Sequence, residues 1–567
     1  MNTSYKKMMS VLIVAIMLVL TACGNNTNEA KVNNESKPGS TTNEVADTVE
    51  PMTLSFYSED INPQWAEMQD DIGKYITEKT GITIDPEFAV GDAVQKTNLI
   101  AASGQYHDLM APKGSHGVLI DAGAMLDLTD LIEEHAPNIK ALLGDQIKRL
   151  RYSAEDPSIY FIPNQDTIGQ IYFDAGGPFN LQHAVVKEQG FPEMKTLADY
   201  EKAIQTYVDK NPTIDGQKTI GLSLLAEDWR IMISVTNPAF WATGAPDDGE
   251  YYINPENYEA MYHYRRPEEK EYFRWLNHMN DVGLLDPESF VQKYDQYLAK
   301  IASGRVVATI DQEWEIGEAE NSLKSAGKHE RAYGHYPITL DDSYKAANFQ
   351  QTGFSGNWGV GITVDAEDPV RAIKFLDFLS SEEGQILTNW GIEGKHYTIV
   401  DGKRVITPEF LEMKKNDNNT FKQTTGVGNY NFSLRNGDGV LDSTGNYFTT
   451  NNPVQILENY SPVEIEVLKG YGATYWKDLF PKEDEFPIKA WGAAWNIPVP
   501  NDSPNTVFNK KMEDITRKRI PEAILAKPAD FDKVFDTMLQ ELDKAGVKEM
   551  EKNYTELVKA RVKLWSE

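Results

Sequence analysis

The chain has 567 residues, 86 acidic and 55 basic, for a net charge of −31 at pH 7. A surface this acidic repels phosphate backbones and anionic headgroups alike, which excludes nucleic acid as a partner and requires something other than charge to hold the chain at a membrane. With 41% hydrophobic residues there is material for two or three sizeable cores.

The first element is an address. Lys6 and Lys7 precede an uncharged run of thirteen residues, Met8–Leu20, too short for a membrane span but suited to a signal-peptide core. Leu20-Thr21-Ala22-Cys23, followed by Gly24, resembles a bacterial lipobox. The resemblance implies cleavage before Cys23 and a diacylglycerol on its thiol, so residues 1–22 are a lipoprotein signal peptide. Their removal takes Lys6 and Lys7 and leaves a net charge of −33. Cys23 is the only cysteine. With it lipidated, the body has no disulfide, no cysteine nucleophile and no cysteine-based zinc site. Residues 23–51 then read as a tether, because 24–51 hold no aromatic residue and are rich in Asn, Thr, Ser and Glu.

From Met52 the alternation in MTLSFYSED predicts a strand. A helix is expected over 63–81, with Trp65, Met68, Ile72, Tyr75 and Ile76 on one face and Gly81 as its stop. ITIDPEFAV is a second strand, AVQKTNLIAASGQYHDLM a second helix leading into a short strand near Leu109–Ala111. Strand, helix, strand, helix, strand with short links indicates a parallel, doubly wound sheet. A second α/β unit follows SIYFIPNQD, with helices around 196–208 and 268–283 and a strand within LAKIASGRVVATIDQEW. After the strand NWGVGITVD, Asp368 is placed to cap a helix whose first residue is Pro369. The remainder mixes Asn- and Gly-rich stretches with helices and closes on an amphipathic helix through Trp565.

Several segments in order, among them AASGQYHDLM, GAMLDLTDLIEEHAPNIK, SIYFIPNQD, IASGRVVATIDQEW and NWGVGITVDAEDPVRAIKFLDFLSSEEGQ, resemble the extracellular solute-binding proteins of ABC importers (family 1). NWGIEGKHY and the C-terminal helices point to the long Gram-positive lipoprotein subfamily, related to alginate-oligosaccharide- and maltodextrin-binding proteins. The resemblance implies a two-lobed periplasmic-binding-protein fold (type II), each lobe a doubly wound α/β sheet, with ligand in the interlobe cleft. Lobe one is then 52–166 with 354–395, lobe two 167–353, and 396–567 an extension whose helices pack mainly on lobe two.

Sugars offer apolar C–H faces and a rim of hydroxyls, so aromatic faces beside planar polar groups are the candidates. Trp314, after the strand VVATID and flanked by Asp311 and Glu313, is the first choice; in maltodextrin-binding relatives the equivalent loop supplies a stacking Trp. Trp358, Trp229 with Arg230, and the pair Trp491 and Trp495 are further candidates, each with a packing role as its alternative. Asn164 with Gln165, and Glu59 after the first strand, sit where ligands of such sheets bind. Arg230 and Arg435 could meet a uronate. Asp209, Asn211 and Asp215 have the alternate spacing of a calcium loop, but Pro212, Thr213 and Ile220 at the closing position favour a degenerate turn, so no metal or other cofactor is expected.

No G-x-S-x-G, H-E-x-x-H or P-loop motif occurs, and the nine histidines are scattered. The expectation is therefore no enzyme but a monomeric binding protein, held at the extracellular face of the cell membrane by its lipid, that delivers an oligosaccharide to ABC permease subunits. A sensor partnering a membrane kinase and a polysaccharide-degrading enzyme are the alternatives.

Overall fold

The first strand, β1 (Met52–Ser58), is buried on both faces: Leu54 and Phe56 point into one apolar cluster, Tyr57 into another with Met110 and Leu119. That arrangement requires layers on either side of the sheet. The computed structural model describes residues 50–356, 358–500 and 503–566; the signal segment, Cys23 and most of the tether lie outside the described residues.

The strands that build the two lobes are, in chain order, β1, β2 (Ile82–Phe88), β3 (Leu109–Ala111), β4 (Ile162–Pro163), β5 (Phe179–Gln182), β6 (Ile220–Ser223), β7 (Val306–Ile310), β8 (Tyr333–Tyr336) and β9 (Gly359–Ile362). One sheet has the order β2-β1-β3-β9-β4, the other β8-β5-β7-β6. Parallel pairing holds within β2-β1-β3 and between β7 and β6. β9 runs antiparallel to β3 and β4, and β5 antiparallel to β7 and β8. The sheets are thus mixed rather than wholly parallel. The antiparallel strands β5 and β9 are the ones that enter each sheet from the interlobe end, which sets their direction.

The helix after β1 is shorter than its apolar spacing predicts. It runs Asp71–Thr80, because Glu67 and Met68 take left-handed backbone (φ 52° and 54°). Asp70 is the cap, its Oδ1 accepting from Gly73 N at 2.7 Å. Gly81 ends the helix at φ 68°. The helix Pro369–Ser380 starts as the residues predict, with Asp368 accepting from Arg371 N and Pro369 in the first turn.

The C-terminal extension meets both lobes, its first part entering the first lobe and most of its helices packing on the second. The hairpin Tyr397–Val400/Lys403–Ile406 and the helices after it join Trp390, Phe410 and Phe421 in a cluster, and Tyr430, Phe432 and Leu434 enter the core under β1. Only further on do Val467, Trp476, Met512, Phe535 and Tyr554 complete the core under β5–β7. Tyr430 is committed to the first lobe by a 2.5 Å bond to Asp70 Oδ2.

Three segments cross between the lobes and are tied together. Asp166 Oδ2 accepts from Ser355 N (2.6 Å), Ser355 Oγ (2.9 Å) and Gly356 N (3.2 Å). Arg435 and Asn436 pair in parallel with Thr167 and Ile168, and Arg435 Nη1 donates to Asn164 O at 2.5 Å. Short crossings fixed at one line leave the lobes free to rotate about it.

Candidate ligand cleft

Each sheet presents one edge to the gap between the lobes. From the first sheet this edge carries Glu59 and Asp60 after β1, Lys113 after β3, Asn164 and Gln165 after β4, and Trp358 before β9. From the second it carries Gly176 and Gly177 ahead of β5, Trp229 and Arg230 after β6, and Asp311–Trp314 after β7. Two cavities occupy the gap, about 1180 and 750 Å³, joined through shared walls of Tyr172, Trp241, Asn348 and Phe349. Ligand pockets are ordinarily ~300–1,000 Å³, so the cleft has room for an extended ligand.

Trp314 begins the helix Glu313–Ser325 and is 62% exposed, an unusual state for so large an apolar group. Its ring lies 6.0 Å from that of Trp229, at 19° between planes, and Trp229 is itself 41% exposed. Arg230 holds Trp229 from behind: its guanidinium is 4.8 Å from the Trp229 ring and 4.4 Å from that of Tyr294. It is pinned by Glu315 (3.1 Å) and Asp228 (2.8 Å). Its charge is therefore spent inside the lobe, not offered to a uronate.

A second aromatic pair joins Trp358 of the first lobe's edge to Trp495 of the C-terminal segment, ring centroids 4.8 Å apart. Trp495 is 42% exposed and rests on Gly249, where a Cβ would meet it at 2.8 Å. Trp491, four residues away, is different. It is buried, and its Nε1 donates to Asp248 Oδ2 at 3.1 Å, so the expected shelf of Trp491 and Trp495 does not form.

The polar candidates sort the same way. Asp311 is buried, bonded to Tyr297 Oη (2.9 Å) and Gln312 N (2.8 Å), and burial pushes its carboxyl up to about 8. It is a neutral strut beneath the edge rather than a hydroxyl acceptor. Glu313 stands on the cleft wall against Gly176, where a Cβ would sit 2.6 Å from its Oε2, and burial raises its carboxyl above the usual range. Glu59 accepts from Thr97 Oγ1 at 2.5 Å, and burial raises its carboxyl above the usual range. Asn164 is tied into the crossings, its Nδ2 donating to Asn431 O, whereas Gln165 lines the cleft.

The calcium candidates are not brought together. Asp215 and Gly216, at φ 51° and 77°, make the turn of the hairpin Thr213–Ile214/Gln217–Lys218, and Asp215 pairs with Lys328 at 2.8 Å. Asn211 donates instead to Glu188. Among the described residues no three His, Cys, Asp or Glu side chains are placed to hold a metal.

Sequence reasoning missed Tyr172, 47% exposed and 5.5 Å from the Phe349 ring, at the junction of the two cavities. Its signal was present in QIYFDAGGPF: two glycines directly before a strand mark close backbone approach. At Gly177 (φ 79°) a Cβ would meet Asp311 O at 2.6 Å.

Two sheet-bearing lobes joined by tied crossings, with the exposed aromatics Tyr172 and Trp314 lining the cavities between them, define a clamp-type binding protein. The chain belongs to the bacterial extracellular solute-binding proteins, whose family profile matches residues 72–391. It is similar to Lipoprotein LipO of Bacillus subtilis, 21% identical over 64% of this chain and 68% of that protein. It is also similar to the fructooligosaccharide ABC transporter substrate-binding protein FusA of Streptococcus pneumoniae, 23% identical over 68% of this chain and 70% of that one. Among solved structures, the alginate-binding protein AlgQ2 shares the fold at a TM-score of 0.60 and 17% identity, covering 90% of this chain and 98% of that one.

Proposed function

We propose that the protein is the lipid-anchored substrate-binding component of an ABC importer and that its ligand is an oligosaccharide. The observation that carries this reading is Trp314, 62% exposed on the wall of the larger cavity beside Glu313 and stacked on the half-exposed Trp229. Aromatic faces of this size are left in water where a ligand covers them, and a sugar ring supplies the matching C–H face. Relatives named for fructooligosaccharide and alginate binding support the class of ligand. Binding closes the lobes because ligand touches both only in the closed state, and the loaded form docks on permease subunits. No bond is made or broken in this cycle. Cys23 bears the lipid, which places the body on the extracellular face.

The test is a thermal-shift screen of oligosaccharides, in which a ligand at 100 times its Kd adds about 2.7 kcal/mol. Stabilisation by a saccharide at stoichiometric occupancy, without release of product, is the expected result. Stabilisation by peptides alone would overturn the reading.

A further inference from the structure

A third cavity lies where the first lobe meets the C-terminal helix Val547–Ser566. Its volume is about 80 Å³. Its walls carry Lys113, His116, Arg149, Arg151 and Arg561 and no aspartate or glutamate among the described residues. In a chain where acidic residues outnumber basic ones 86 to 55, this is a reversal of the general surface.

Lys113 is paired with Asp60, whereas Arg149 and Arg561 are held by neutral groups. Arg561 donates through both terminal nitrogens to Asn496, to its Oδ1 and to its backbone O (2.9 Å). Its guanidinium lies 4.9 Å from the Trp565 ring, and that of Arg149 lies 4.7 Å from the same ring. Arg149 donates to Phe354 O at 2.5 Å, and Asp166, the carboxylate near it, is occupied by Ser355 and Gly356. Burial pushes Arg561 down to about 10. Trp358, also in the wall, has its Nε1 buried without an acceptor. Withdrawing a guanidinium from water without a counter-charge is costly, and a bound oxyanion offsets that cost through forked hydrogen bonds.

Size and position define what fits. At about 80 Å³ the pocket is far smaller than the two cleft cavities, a size suited to a single charged substituent rather than to a chain of rings. It adjoins the cleft: Lys113 pairs with Asp60, which accepts from Gln165 Nε2 at 3.3 Å, and Gln165 lines the larger gap. We propose that this pocket is an anion subsite at one end of the interlobe cleft, taking a carboxylate or sulfate substituent of an acidic oligosaccharide whose rings lie along the cleft. The proposal rests on the oligosaccharide reading and narrows it.

The experiment is calorimetric titration with matched pairs: trigalacturonate against its methyl ester, and sulfated against desulfated neocarrabiose. The expected result is that the acidic member of one pair binds at least tenfold tighter than its neutral partner. The series in which this occurs tells carboxylate from sulfate. Arg561→Gln abolishes the difference without changing the neutral partner's Kd, and the rim variant Arg151→Gln narrows it should the first variant fail to fold. Equal or weaker binding of both acidic members overturns the proposal. If no member of either pair binds, the oligosaccharide reading loses its support here, and the pocket is judged by sodium glucuronate and sodium sulfate against sodium chloride at equal ionic strength. A rise in Tm that Arg151→Gln reduces upholds the anion site, and no rise overturns it.

Discussion

The rings of Trp229 and Trp314 lie 6.0 Å apart and within 19° of parallel, although one follows β6 and the other follows β7. Two neighbouring parallel strands thus deliver one stacked aromatic pair, of which Trp314 lines the cleft. Removing the more exposed half, by Trp314→Ala, should weaken saccharide binding by about 2 kcal/mol, roughly 30-fold in Kd. Because the ring is mostly in water, Tm should stay close to that of the parent protein. Calorimetric titration beside a melting curve checks both, and unchanged affinity would remove Trp314 from the site.

Asp248 makes the opposite kind of contact. It is buried and accepts from Lys489 Nζ (2.7 Å), Trp491 Nε1 (3.1 Å) and Ala494 N (3.0 Å). Asp248→Ala strands a buried ammonium, a loss of about 3–5 kcal/mol. Urea unfolding should show it as a lower midpoint, while Trp491→Phe costs about 1–3 kcal/mol for the orphaned acceptor.

The pH dependence of stability follows from Asp311. Its folded pKa is raised to about 8, so its contribution to stability is complete below the unfolded value of 3.8 and is lost as pH rises through 8. Glu320, pushed up to about 7 by burial, acts in the same direction. His183 and His335, held down to about 3 by burial, oppose this trend only below the ordinary histidine value of 6.5, where the unfolded chain takes up their protons. Between pH 6.5 and 8.5 the carboxyls alone therefore set the slope, and Tm should fall. Asp311→Asn should flatten that fall; a Tm that rises across this window in the parent protein would contradict the assignment.

Cys23 carries the expectation about location. Cys23→Ala should move the protein from the membrane fraction to the medium and abolish labelling by a radioactive fatty acid, with ligand affinity unchanged. Retention at the membrane would show that something other than this thiol anchors it.

Local patterns that act over a few residues were legible in the chain itself. The cap by Asp368 and the stop at Gly81 follow from groups acting on their own backbone and need no partner elsewhere. The family's two-lobed plan was legible for a related reason, since ordered segments carry the crossings. The exposure of Trp314 was also readable, as an aromatic set among acidic residues at a strand end. What Trp491 and Trp495 each do was decided by tertiary packing: four residues apart in one loop, one is drawn inside by Asp248 and the other rests on Gly249. Asp311 and Glu313 diverge likewise, because Tyr297 bonds to one and the other stands on the cleft wall against Gly176. The helix starts only at Asp71, after Glu67 and Met68 take left-handed backbone that no periodicity encodes. The cationic pocket gathers residues separated by some 450 positions, from Lys113 to Arg561. Burial and long-range charge depend on which segments fold against each other, so the sequence determined local caps and stops, and the tertiary structure decided which side chains line the cleft and which are buried beneath it.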